Sequence, residues 1–232
     1  MNIEICTDSL EGALVAEKHG AKRIELCSAL SVGGLTPNYG LIQQCVTKSN
    51  VEVHVMIRHK EGDFKYSPQD IELMKIDIEA ANKAGAQGVV FGVLNAHNEV
   101  SDYNKELIDF SRSFGLEVTF HRAFDLVKNY KLAIEKIIKF GFDRLLTSGL
   151  QDDALKGINI ISDLQTNYGD KIQIMAGSGI NAKNVLKIVY SGVNDIHFTA
   201  RKSIGEAIKL SMGERMVVDE SKIKNILKVL ES

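Results

Sequence analysis

Only two prolines interrupt the 232 residues, no stretch is low in complexity, and no run of 18 apolar residues occurs. The first two shortages exclude a chain dominated by linkers or disorder, and the third excludes a membrane-spanning helix. An excess of one charge is missing too. With 28 Lys and Arg against 30 Asp and Glu, nothing electrostatic selects nucleic acid or a membrane surface as the partner. Cysteine is scarce, and Cys6, Cys27 and Cys45 form an odd, widely spaced set that is no disulfide framework. The opening Met1-Asn2-Ile3-Glu4 lacks the basic-then-apolar pattern of a secretory signal, so a cytoplasmic location with free thiols is expected. What is present, 44% hydrophobic and 25% charged residues, is the composition of an ordinary globular protein with a sizeable core.

Short β-rich runs recur along the whole chain. They are Ile3–Cys6, Arg23–Cys27, Val51–Arg58, Gly88–Phe91, Glu117–His121, Arg144–Thr147, Ile172–Met175 and Asp195–Phe198, and segments with helical periodicity lie between most of them. Helix starts are signalled by Asp8 with Glu11, by Ser67-Pro68 and by Asn181. Helix exits carry Gly20, Gly85, Gly141 and Gly192. Eight strand–helix units predict a single (β/α)8 TIM barrel over residues 1–232, with a doubly wound open sheet as the runner-up. Residues 219–230 read as a C-terminal surface helix, with Ile223, Ile226, Leu227 and Leu230 on one face and a solvated lysine-rich face opposite. The longer loops, Ser28–Pro37 and His59–Tyr66, follow strand ends, on the face where barrels place their sites.

Strand parity then sorts side chains. Ile3, Ile5, Ile24, Leu26, Val53, Val55, Ile57, Val118, Phe120, Ile172, Ile174, Ile196 and Phe198 should face the helices. The inward set is Glu4, Cys6, Glu25, Cys27, His54, Met56, Arg58, Thr119, His121, Gln173, Met175, Asp195 and His197, far more polar than a structural barrel core requires. Buried charges must pair, and Glu4 and Glu25 with Arg58 are the expected partners, as a structural network or as a tuned pocket. Cys6 and Cys27 end adjacent strands at the same parity, where two thiols can share a soft ion such as Cu(I) or Zn or simply pack; Cys45 reads as packing.

The segment His121-Arg122-Ala123-Phe124-Asp125 suits an anionic substrate, with His121 for proton transfer, Arg122 for a carboxylate or phosphate and Asp125 as orienter; it reads equally well as a salt-bridged loop anchor. Gly177 and Gly179 in the turn after strand seven, and Ser148-Gly149 after strand six, are candidate anion cradles, although glycine turns serve any tight bend. One functional reading is therefore a barrel enzyme of undefined reaction. In it Glu25 and His121 move protons, and Arg58, Arg122, Ser148, Gly177, Gly179 and His197 hold a small phosphate- or carboxylate-bearing metabolite.

Several longer strings carry a family likeness: Arg23–Cys27, Gly33–Pro37, Val55–Arg58, Gly62-Asp63-Phe64, Gly88–Gly92, Thr119–Asp125, Leu146–Gly149 and Met175–Gly177. In these the chain resembles the CutC family of copper homeostasis proteins. The resemblance implies a (β/α)8 barrel in the cytoplasm, self-association as a dimer or tetramer, and Cu(I) held by cysteines that match Cys6 and Cys27. The chain departs from the family's usual Met-Ile-Arg-Pro-Arg at Met56-Ile57-Arg58-His59-Lys60, where His59 is an added candidate ligand.

Overall fold

The structure is a computed structural model and describes residues 1–205 and 213–231. Eight parallel strands close on themselves in chain order. They are β1 (Asn2–Thr7), β2 (Arg23–Leu26), β3 (Glu52–Met56), β4 (Gly88–Phe91), β5 (Glu117–Phe120), β6 (Arg144–Thr147), β7 (Gln173–Gly177) and β8 (Asp195–Thr199). The helices are α1 (Leu10–Lys18), α2 (Tyr39–Lys48), α3 (Pro68–Lys83), α4 (Tyr103–Ser113), α5 (Tyr130–Phe140), α6 (Ile158–Tyr168), α7 (Val185–Val189) and α8 (Glu220–Leu230). This is the (β/α)8 barrel and not the doubly wound sheet. Its last unit carries an addition: an antiparallel pair, β9 (Arg201–Ser203) and β10 (Met216–Val218), stands between β8 and α8.

The apolar parity set forms one continuous core between strands and helices, in which Ile24, Val53, Val55, Val118, Phe120, Ile174 and Ile196 are fully buried. Burying each such side chain contributes about 1.5–3 kcal/mol. Phe142, leading into β6, packs against Phe91 of β4 and edge-on against Phe120 of β5, which ties three neighbouring units together. Cys45 lies in this core at 0% exposure, and burial pushes its thiol up to about 11, as a packing residue requires. Ile223 and Ile226 bury one face of α8.

Two helix starts differ from the sequence expectation. Ser9, not Asp8, caps α1 by accepting from the Gly12 amide, while Asp8 turns to Arg201 at 3.2 Å. Strand β1 runs through Thr7, so the chain still needs a residue to turn before the first helical amide is reached. Asn181 does not cap α7, which begins after Asn184. Ser178 and Gly179 both hold positive φ, and Asn181 then accepts from the Lys183 amide in a separate turn. The Ser67 cap forms as expected and becomes a reciprocal capping box with Asp70. The four helix-exit glycines all hold positive φ, among them Gly141 at +94° as the left-handed cap of α5.

Register decides which inward side chains meet. Glu4 of β1 lies opposite Arg23 of β2 on one side and His197 of β8 on the other. Cys6 lies opposite Glu25, and Glu25 opposite His54. Inward positions therefore face inward positions all round the first, second, third and eighth strands.

Candidate functional site

The barrel interior is built in levels, and the deepest is an ion network. Arg23 opens β2 with its side chain wholly buried, donating from Nε to Glu4 at 2.6 Å and from Nη2 to Asp195 at 2.6 Å. Arg144 closes the same level, 3.3 Å from Asp195 and 2.9 Å from Glu117. The expected pairing of Glu4 and Glu25 with Arg58 is thus corrected. Arg58 follows the end of β3 and lies too far along the barrel, whereas Arg23 shares the parity of Glu25 and sits at the depth of Glu4.

Above this level His197 Nδ1 lies 2.8 Å from Glu4, and its Nε2 lies 3.7 Å from Glu25. Burial alone would lower the imidazole pKa, but Glu25, Cys6 and Glu4 together hold it well above the usual histidine range. Glu4 responds in the opposite sense. Burial raises it, yet the His197 hydrogen bond and the charges of Arg23 and His197 bring it below the ordinary carboxylate range.

The thiols form the next level. Cys6 Sγ and Cys27 Sγ stand 4.0 Å apart, and Cys27 Sγ lies 3.5 Å from Glu25 Oε2. The hydrogen bond from Cys27 lowers Cys6 to about 5; burial opposes this, and His197 adds to it. Cys27 moves well up for the same reason, since it keeps the shared proton next to the Cys6 charge. Burial, followed by the Cys6 charge, pushes Glu25 well up. Cys6 and Glu25 are thus pushed in opposite directions, and His197 lies next to both.

A cavity of about 680 Å³ opens above the thiols, on the face formed by the strands' carboxyl ends. Of the residues expected at the site, Cys6, Glu25, Arg58, His121, Arg122, Asp125, Gly179 and His197 all line it. Cys27 is fully buried beneath Cys6 and reaches the site only through its sulfur. Ser148 and Gly177 are not part of the wall. Ser148 is buried behind Asp125, and a Cβ on Gly177 would meet Leu146 at 2.6 Å.

Asp125 works as a clasp. It accepts from Arg122 Nε, Thr147 Oγ1, the Ser148 amide and hydroxyl and the Leu150 amide, which pins the loop after β6 to the turn after β5. With its oxygens so engaged it has the geometry of the loop anchor. His121 is different. Its Nδ1 accepts from the Ala123 amide at 3.3 Å, so the ring proton of the neutral imidazole sits on Nε2, which has no partner. Burial, then Arg58, lowers its pKa to about 3. Gly92 makes room for this ring, since a Cβ there would lie 2.7 Å from Nδ1.

Sequence reasoning missed Arg23, whose place at the start of a strand reads as a surface flank although its parity points inward. It also passed over Phe64, Arg201 and Lys222, which line the cavity from loop, β9 and α8. The candidate ligand His59 is placed against α3 instead of the cavity: its Nε2 lies 2.9 Å from Asp70, and with Lys60 it grips the carboxylate that caps α3.

A family model described as the CutC family matches residues 1–202. The chain belongs to the CutC family. A family protein CutC of Glaesserella parasuis serovar 5 is 44% identical over 241 residues and spans 99% of both chains. A crystal structure from Streptococcus agalactiae, described as a candidate copper homeostasis protein CutC, aligns with a TM-score of 0.77 at 30% identity, covering 85% of this chain and 98% of that one. The thiamine phosphate pyrophosphorylase of Pyrococcus furiosus gives a TM-score of 0.62 at 14% identity, over 99% of this chain and 95% of that one, and shares the fold alone. The family match ends within β9, so α8 and the lysine it brings to the cavity rim lie beyond it. Among the described residues no helix is long and apolar enough to cross a membrane.

Proposed function

We propose that this member of the CutC family serves copper homeostasis by holding Cu(I) as cargo between Cys6 and Cys27, with Glu25 alongside. The observation that carries this reading is the 4.0 Å separation of the two sulfurs with a carboxylate oxygen 3.5 Å from one of them. Metal–thiolate bonds of about 2.3 Å would span that separation at a bent angle of roughly 120°, which leaves a side open for a third donor. Cys6, Glu25 and Cys27 form one compact set of possible ligands; Glu4, Glu25 and His197 form another. The second set is the poorer choice, because a protonated His197 has no lone pair to give. Soft thiolates also select Cu(I) over harder ions.

In this reading each residue has a task. Cys6 is ready as thiolate, Cys27 releases its proton on binding, and the His197 imidazolium offsets the charge of the second thiolate. Glu4, fixed by Arg23, holds His197 in place. The thiols must remain reduced, which fits the reducing cytoplasm expected from the cysteine usage.

Competition with a cuprous chelator such as bicinchoninate under reducing conditions tests the proposal. The parent should withdraw one Cu(I) per chain, and Cys6→Ala/Cys27→Ala should lose about a hundredfold or more in affinity. Equal competition by parent and double variant would sink it.

A further inference from the structure

Four residues lining the cavity each carry a buried side-chain atom with no hydrogen-bond partner: Arg58 Nε, His121 Nε2, Glu25 Oε1 and Arg201 Nε. Buried polar atoms are nearly always paired, and exceptions concentrate where a ligand completes them. Arg58 is the most demanding of the four, since Arg201 has Asp8 at 3.2 Å. It is 4% exposed, its Nη atoms donate to the main-chain carbonyls of Val32, Gly34 and Gly62, and the Tyr66 hydroxyl is a side-chain neighbour. The guanidinium lies over the Phe64 ring, 5.1 Å from its centroid. Among the described residues no carboxylate pairs with it, so a buried cation stands next to a cavity without a counter-charge. Such a charge is stable only when an anion or a dense set of dipoles faces it.

We infer that the cavity binds a small hydroxycarboxylic acid, its carboxylate between Arg58 and the Nε2–H of His121 and a hydroxyl against Glu25 Oε1. Phosphate is the poorer match. Arg122, Arg201 and Lys222 also line the cavity, but the unpaired donors of Arg58 and His121 are two N–H groups that match the two oxygens of a carboxylate, and α7 is too short and starts too late to offer a phosphate a helix terminus. Leu30, Met56, Phe64, Leu146 and Phe198 supply apolar wall for a carbon skeleton, and about 680 Å³ is ample for a molecule of three to six carbons. The turn carrying Leu30 to Val32 hangs on Arg58 Nη1 through the Val32 carbonyl, so filling the site also fixes that loop. The inference shares Glu25 with the copper reading, but Arg58 and His121, which hold the carboxylate, lie outside the Cys6, Glu25 and Cys27 group.

Calorimetric titration with D-glycerate and D-gluconate, with sorbitol as the uncharged counterpart of gluconate, tests it. At least one acid should bind with a Kd of about 1 mM or tighter and slow amide exchange across residues 29–34, while sorbitol does neither. His121→Phe keeps the ring packing against Phe64 and should weaken binding about tenfold, as loss of one buried hydrogen bond predicts. Arg58→Met should abolish binding if it folds, and His121→Phe decides the matter if it does not. Acids binding no better than sorbitol, or a folded His121→Phe that binds like the parent, would overturn the inference. Unchanged Cu(I) uptake by His121→Phe separates this result from any failure of the copper site.

Discussion

His197 and Glu4 hold each other across the seam where the barrel closes: Nδ1 of the imidazole lies 2.8 Å from the carboxylate, and β1 and β8 place the two residues in register. Because the other Glu4 oxygen is taken by Arg23 at 2.6 Å, the carboxylate cannot turn away. His197 is thereby fixed beneath the thiols, where Glu25, Cys6 and Glu4 hold its pKa well above the usual histidine range.

Cys6 should be the thiol that reacts at low pH. Its pKa near 5 rests first on the Cys27 hydrogen bond and then on His197, whereas Cys27 and Cys45 are both raised. Brief alkylation with iodoacetamide at pH 6–7, read by peptide mass spectrometry, should label Cys6 ahead of the other two. Cys27→Ala should move the midpoint of the Cys6 profile upward by more than one pH unit, on the order expected for losing a charge-assisted hydrogen bond. Equal labelling of all three cysteines would contradict this arrangement.

Stability should be greatest near neutral pH, and different groups set the two slopes. His54 and His121, each lowered to about 3 chiefly by burial, refuse protons that the unfolded chain accepts below its ordinary value of about 6.5. The unfolded state therefore binds more protons in that window, and stability falls as pH drops from 6.5 towards 3. Glu4, held low, adds a loss at still lower pH. His197 works in reverse: its pKa is raised in the fold, so its contribution is complete below about 6.5 and is lost as pH rises through the folded value. Guanidinium unfolding across pH 4–9 should show both slopes. His54→Gln should flatten only the acid side and His197→Gln only the alkaline side.

Arg23→Met should destabilise the protein by about 3–5 kcal/mol, because Glu4 and Asp195 would both remain buried without their shared cation. Arg23→Lys should recover little of this, since one ammonium cannot reproduce two directed contacts from Nε and Nη2. Denaturant midpoints of the two variants decide the point.

Asp125→Ala separates a clasp from a catalytic group. Removing the acceptor of several buried donors should lower stability by about 2–3 kcal/mol. Cu(I) binding should persist in the folded fraction. Full stability in this variant would show that the loop after β6 is held by other contacts.

The barrel was legible because the signals that produce it are local: β-rich runs, helical periods between them, and glycines at helix exits such as Gly141. Facing was legible as well, since alternation along a strand is strict, and Cys6, Glu25, His121 and His197 fall inward as parity requires. Depth was not. Parity says that Glu4 points into the barrel but not that Arg23 reaches its level while Arg58 overshoots it; the stagger between strands sets that, and no single strand encodes it. The roles of Asp125 and Ser148 were hidden for a similar reason. Their partners come from the loop after β6, more than twenty residues from Asp125, so the sequence offered anchor and catalyst as equal readings.

The Arg23–Glu4–Asp195 cluster also bears on how the chain is made. Its partners lie 19 and 172 positions from Arg23, and Glu4 waits for His197 across 193 positions. On the ribosome, Arg23 and Glu4 emerge early and acquire only each other, while the acid and the imidazole that complete them arrive with β8. The interior of the nascent barrel is therefore electrically unfinished until its final strand docks, and a misregistered β8 would leave Asp195 and His197 at the wrong heights. The polar centre is thus complete only when the first and last strands meet in register.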